Sequence, residues 1–380
     1  MSKTFQFGNG EWAVGKETVL AYNDENNNFK PLPFTFDRAS TATVVNKDGL
    51  IETVGVDEPR IDFKDNSKGA LLLEPSRTNI FLYGLNMQNW QGLSGASFQL
   101  NNDISPDGSQ NATKITYNGT DNGRLEKQVS TSSGTVYTFS VWLKNIDISD
   151  PTQIYLGFSQ TSQGEHITIT NEWKRYSVTI TADASNEYPR INSDLAGSLL
   201  AYGAQFEASN YMTSLIPTQG SAVTRSADSC SQTVPDGVIG QTEGTLLVDF
   251  NFNGDISGNR SVAILSSGGS ADFIASFIFN NLFYARIRAN NGSVIDVTKS
   301  NLTSGNHKIA IAYASNDLTF YLDGNIVGQN TSASVSFGSE LSTIKIGEST
   351  SGTAELGGLV SKTSLYNTRL SNTELQALTT

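Results

Sequence analysis

The residues able to do chemistry in this 380-residue chain are two histidines, one cysteine and 37 aspartates and glutamates. Hydrolysis by a nucleophile needs a base beside it. His166, in "EHITIT", and His307, in "GNHKIAIAY", are far apart in sequence, and each opens a strand-like segment. Cys230, in "RSADSCSQT", has no second cysteine to pair with and reads as a bystander thiol. No HExxH, GxSxG, phosphate loop or paired-cysteine spacing occurs. Paired carboxylates remain, since two of them about 5–9 Å apart cleave a glycosidic bond wherever their strands place them. Glu126, Glu165, Glu172 and Glu207 are the candidates, against the plainer reading that they solvate outward faces.

Binding chemistry is better supplied. Sugars offer apolar ring faces to aromatic side chains and hydroxyls to amides and guanidinium groups. Trp90, Arg124, Trp142, Gln153, Tyr155 and Gln205 are expected to contact carbohydrate, with Tyr137 and Trp173 in the same region. The competing use of each ring is core packing. Two loops, "NNDISPDGSQN" (101–111) and "NFNGDISGN" (251–259), have the oxygen density for a structural calcium ion. Both lack EF-hand spacing and read more simply as turns. No other cofactor or metal is expected.

These residues must be positioned by strands. Charged residues are only 16% of the chain, while Ser, Thr, Asn and Gly abound, and sustained helical periodicity is nearly absent. That mixture suits short strands and tight turns, so the fold class is all-β. "YTFSVWL" alternates, with Tyr137, Phe139, Val141 and Leu143 on one face and Thr138, Ser140 and Trp142 on the other. "TFYLDGNIVG" is a hairpin turning at Asp323-Gly324. "TATVV", "NKDG" and "LIETV" make another, and "LSNTELQALTT" carries a capping box at Ser371 and Glu374 that opens one short helix. The expected order is an N-terminal arm (1–33), a small β module (34–79), a β-sandwich (80–224), a linker (225–241) and a second sandwich (242–380).

The net charge of -12 argues against nucleic acid, which needs clustered Lys and Arg. No run approaches the ~18 apolar residues of a membrane span, and "MSKTFQFGNGEW" has no basic segment leading into an apolar one. Neither membrane insertion nor a secretory signal is expected.

The segment "FTFDRASTATVVNKDGLIETVGVDEPRIDF", running into "GALLLEPSRTNIF", closely resembles a module of tailed-bacteriophage virion proteins. Arg38, Asn46, Gly49, Glu52, Pro59, Arg60, Asp62, Leu72, Glu74, Arg77, Thr78 and Asn79 carry the match. "YGAQFEASNYMTSLIPTQGSAVTRSAD" resembles the segment closing a carbohydrate-binding-module-like jelly roll in the same proteins, with Leu215 where Tyr is usual. Residues 240–380 look like a laminin-G or concanavalin-A-like sandwich, and the opening residues are similar to those of phages of Bacteroidota, including crAss-like ones.

The resemblance implies a virion component, a head or tail fibre or decoration assembled in the bacterial cytoplasm. It implies glycan contact, host-surface polysaccharide as partner, docking on other virion proteins through residues 1–33, and a homo-oligomer, with a trimer favoured. It transfers no catalytic residue, and no enzyme activity is expected. Arg38, Arg60 and Arg77, with Asp62 and Glu74, are expected to form structural ion pairs. A polysaccharide depolymerase with two carboxylates and a purely architectural protein without ligand are the alternatives.

Overall fold

The computed structural model describes all residues except 1–2, 26–27, 160–162, 253–257, 281, 300–301 and 351–354. It is all-β, with a single α-helix, Asn372–Thr379, among the described residues. Two compact units share the chain: one of residues 1–47, 54–75 and 226–380, the other of residues 48–53 and 76–225. The second unit is therefore an insertion into the first, rather than the tandem arrangement that the order of strand signals suggests.

In the first unit, Gly244–Phe252 pairs with Gly305–Ala314 on one side and Gly358–Tyr366 on the other. Arg260–Ser266 lies between Phe273–Phe279 and Thr343–Ile346 in a second layer. Between the layers lie Leu246, Val248, Phe250, Val262, Ile274, Ile309, Ile311 and Phe320, all fully buried. Residues 1–33, expected as an arm, belong to this unit: Phe5–Gly8 pairs with Gly358–Tyr366, and Thr18–Glu25 pairs with Asn28–Asp37. Phe5 and Phe7 are fully buried, with ring centroids 5.7 and 5.3 Å from that of Phe34. Two apolar side chains in a four-residue strand make too short an alternation to register as a period, yet each contributes about 1.5–3 kcal/mol on burial.

The expected linker is likewise a strand. Ser229–Thr233 pairs with Asn28–Asp37 and with Thr343–Ile346, and Cys230 stands opposite Phe36. Burial, with Glu348, Asp228 and Asp37 nearby, pushes the Cys230 thiol well above its ordinary range. A thiolate-trapping reagent is expected to leave Cys230 unlabelled in the native protein and to label it in denaturant, as read by mass spectrometry. Labelling at the rate of a free thiol would contradict the burial.

Local signals hold where local chemistry suffices. Asp323 and Gly324 take positive φ, at 49° and 76°, as a two-residue hairpin with primed-turn geometry requires. Strands Ala42–Val45 and Ile51–Val54 form the other hairpin. Ser371 caps the helix: its side chain accepts from the Glu374 N–H, and the Glu374 carboxylate accepts from the Ser371 N–H. The helix covers Leu247, Ala310, Ala312 and Tyr321 on the outer face of the sheet.

The charges of residues 34–79 are partly accounted for by one buried cluster. Arg38, 1% exposed, donates to the carbonyls of Ser40, Gly55 and Glu58 and to Asp228 at 3.2 Å. Arg60, fully buried, donates to Glu74 at 2.7 Å, to the Thr43 carbonyl and to Asp228. Burial works against the Arg60 charge, but Asp228 and Glu74 outweigh it and push its pKa up. Asp228 also accepts the Glu74 main-chain N–H at 2.9 Å. Two of the five expected ion-pair residues stand elsewhere. Asp62 accepts the N–H groups of Val45 and Lys64, and burial raises its pKa. Arg77 donates to the Ser76 carbonyl and lies over the Tyr211 ring at 5.6 Å. Asp228, the last residue of "TRSAD", is the partner that the charged segment alone does not reveal.

Candidate functional site

The second unit is a sandwich of two five-stranded antiparallel sheets. One holds Ala96–Asp103, Ala112–Asn118, Ala196–Glu207, Val136–Asn145 and Lys174–Thr181; the other holds Gln91–Leu93, Gly123–Glu126, Pro189–Ser193, Ile154–Phe158 and Gly164–Ile167. Directly paired residues of an antiparallel sheet project to the same face. In the second sheet Leu125, Ile191 and Leu156 form one row, and all three are fully buried in the core. The rows on either side of it therefore project away from the core.

The first outward row is Leu93, Arg124, Asn192, Tyr155 and His166. The next is Gln91, Glu126, Arg190, Gly157 and Gly164. Tyr155 lies over the bare main chain of the two glycines: a Cβ on Gly157 would meet its Cε1 at 2.4 Å, and one on Gly164 its Cζ at 2.6 Å. The Arg190 guanidinium is 5.3 Å from the ring centroid, and the His166 ring meets it edge-on at 5.4 Å. The aromatic ring is thus fixed in place before any ligand arrives.

Polar groups surround it. Arg124 Nε donates to Glu126 Oε2 at 2.8 Å, and Ser159 donates to the same oxygen at 2.9 Å while accepting from Arg190 Nη1 at 3.3 Å. Asn192 Nδ2 donates to Asn122 Oδ1 at 2.9 Å. Asn192 Oδ1 has no hydrogen-bond partner among the described residues, although Asn192 is only 6% exposed. A buried acceptor left unpaired is costly, and this oxygen is itself closed to solvent. The face thus combines a pinned aromatic ring, two guanidinium groups and an imidazole.

Of the six residues expected to contact carbohydrate, the fold brings Arg124 and Tyr155 together here. Gln153 is exposed in the short 3₁₀ turn Pro151–Gln153, immediately before the Tyr155 strand. Trp90 is corrected to a core residue: it is 4% exposed and packs on Phe81 and Phe139 at 5.0 and 6.1 Å. Gln205 is corrected to a structural residue. Fully buried, it donates to Glu207, Thr213 and the Ser214 carbonyl and accepts the Ile216 N–H at 2.7 Å. Trp142 is half-buried on the other sheet, where the Arg175 guanidinium covers its ring at 4.2 Å.

That other outer face is roofed by the chain after Glu207, which is why it is no open platform. Glu207 holds the Thr213 N–H and hydroxyl, each at 2.8 Å, while Arg175 donates to the Thr213 carbonyl and Thr138 to that of Ser209. Arg190, Asn192 and His166, which share this face, are not among the six residues expected from the sequence. Their signal is the alternation of "PRINS" around buried Ile191 and the placement of "EHI" opposite "IYLG".

The four candidate carboxylates do not converge. Glu126 is on the open face in its pair with Arg124, Glu207 is buried under the roofed sheet, and Glu165 and Glu172 are exposed. In the 101–111 loop, burial alone would raise the Asp107 carboxyl, but donors from Ser105, Ser109 and Tyr202 hold it at about 2. Its oxygens are engaged by the protein itself. The other proposed calcium loop lies mostly outside the described residues, and among those described no cluster of metal-ligating side chains occurs.

Residues 228–376 match the family model Laminin_G_3, described as the concanavalin A-like lectin/glucanases superfamily. No curated protein matches the chain. Among solved structures, a CBM40 of the Ruminococcus gnavus IT-sialidase bound to α2,3-sialyllactose is similar at 16% identity and a TM-score of 0.32, over 37% of this chain and 83% of that one. Domain 4 of the Geobacillus stearothermophilus arabinanase AbnA, in complex with arabinotriose, shares 12% identity at a TM-score of 0.31, over 40% and 73%. Mouse laminin α1 domains LG4-5 share 12% at 0.27, over 75% and 92%. At such scores these likenesses add nothing to the argument for the site. The family match does classify the C-terminal part of the chain: residues 228–376 form a concanavalin A-like sandwich.

Proposed function

We propose that this chain is a glycan-binding adhesion protein of a bacteriophage virion, and that the open face around Tyr155 is its carbohydrate contact. The observation carrying the glycan reading is the Tyr155 ring, pinned over two glycines between Arg190 and His166, in the outward row that also carries Arg124. A sugar stacks on such a ring and meets the donors of the guanidinium and imidazole groups around it. The virion reading is supported by the phage-like segments 34–79 and 202–228. A shallow face binds weakly by itself, and repetition of copies on a particle raises the effective strength.

Retention of the purified protein on immobilised capsular polysaccharide from the host tests the glycan reading. Tyr155→Ala is expected to weaken retention by about tenfold, which is about 1.4 kcal/mol for a lost stacking contact, with thermal unfolding unchanged. Unchanged retention would remove the face from the reading. Polymer size is expected to stay constant during incubation, and a fall would favour the depolymerase alternative. Electron microscopy of particles labelled through this chain tests the virion placement.

A further inference from the structure

A second cluster, in the unit of residues 1–47, 54–75 and 226–380, has a different chemistry. The register places Lys308, Asp249, Lys362 and Gly8 in one row across four adjacent strands. Leu247, two residues before Asp249, packs beneath the helix Asn372–Thr379, so the row lies on the outer face of that sheet. There Asn9, Leu247, Asp249, Lys308, Lys362 and Leu378 line a hollow of about 190 Å³.

The charged groups of this hollow attract one another along the row without closing an ion pair. Neither lysine forms an ion pair or hydrogen bond with Asp249 among the described residues, and Lys308 donates instead to the Thr380 carbonyl at 3.0 Å. Burial lowers the Lys362 pKa, with Lys3, Lys308 and Lys68 adding repulsion and Asp249 opposing it, and burial raises the Asp249 pKa against the pull of Lys308 and Lys362.

A ligand that fits brings an anion to Lys362 and a hydroxyl donor to Asp249. A bare oxyanion serves the lysine but faces the aspartate; a neutral sugar leaves the ammonium unmatched. The hollow, about 190 Å³, has room for several waters and so for a small polar solute. The geometry points to a binding site for a sugar acid of the hexuronate class at Asp249 and Lys362. It is separate from the Tyr155 face and stands whether or not that face binds glycan.

Ligand-observed NMR on the full chain, with glucuronate, glucose and inorganic sulfate as probes, tests it. Glucuronate is expected to bind at least tenfold more tightly than glucose or sulfate. Lys362→Met and Asp249→Asn, each checked for unchanged thermal unfolding, are expected to weaken it tenfold or more, while Tyr155→Ala leaves it unchanged. The site is overturned if sulfate matches glucuronate, if both folded variants bind like the parent, or if Tyr155→Ala abolishes the signal.

Discussion

Asp228→Ala is expected to destabilise the unit of residues 1–47, 54–75 and 226–380 by about 3–5 kcal/mol. Asp228 is the shared acceptor of Arg38, Arg60 and the Glu74 N–H, and the side chains of all three paired charges at Arg38, Arg60 and Asp228 are fully buried. Its removal takes from both Arg38 and Arg60 a buried carboxylate to which each donates. Uncompensated charge in a dry interior costs more than the intact pair contributes. For a unit of this size the loss corresponds to a fall of about 6–20 °C in the midpoint of its thermal transition. Calorimetry reads it directly. Asp228→Asn keeps the shape and loses the charge, so its effect is expected to be smaller. A loss below about 1 kcal/mol for the alanine variant, the size of an exposed pair, would mean that the cluster is not desolvated as described.

The second large effect separates core from ligand surface. Trp90→Ala is expected to cost the unit of residues 48–53 and 76–225 about 3–5 kcal/mol, the usual result of emptying a large aromatic site. Trp90 packs on Phe81 and Phe139, and Phe81 in turn contacts Phe206 at 5.8 Å, so the void opens inside one aromatic cluster. Denaturant unfolding followed by separate probes for the two units is expected to show the Trp90 transition moving and the other staying. At a temperature where Trp90→Ala is still folded, polysaccharide retention is expected to equal that of the parent. Loss of retention without loss of stability would return Trp90 to the ligand surface.

Trp90 and Trp142 show why ring type alone did not locate the face. A tryptophan is an equally good core filler and sugar platform, and nothing in its immediate neighbours says which use it has. Trp90 is enclosed by Phe81 and Phe139, while Trp142 is on the outward side of its strand but under Arg175 and the chain after Glu207. Tyr155 is different because its ring lies over Gly157, two residues on in its own strand, and over Gly164, which pairs with Gly157, and the second of these is written in pairing rather than in spacing. Gln205 and Glu207 stand in a segment quoted for its resemblance, and their bonds to Thr213 and Ile216 show a structural use for it.

Much was determined by the sequence itself: the all-β class, the alternation that buries Tyr137, Phe139, Val141 and Leu143, the turn at Asp323-Gly324 and the cap at Ser371. Each depends on residues within a few positions of one another, where propensity and side-chain reach act directly. Only the tertiary structure decided the nesting of one unit in the other, the choice of Asp228 as the shared counter-ion, and the gathering of Arg124, Tyr155, His166, Arg190 and Asn192 on one face. The physical reason is that strand pairing is made by main-chain groups common to every residue. Which strands meet, and in what register, is therefore chosen by burial of the whole core and leaves little trace in any one segment.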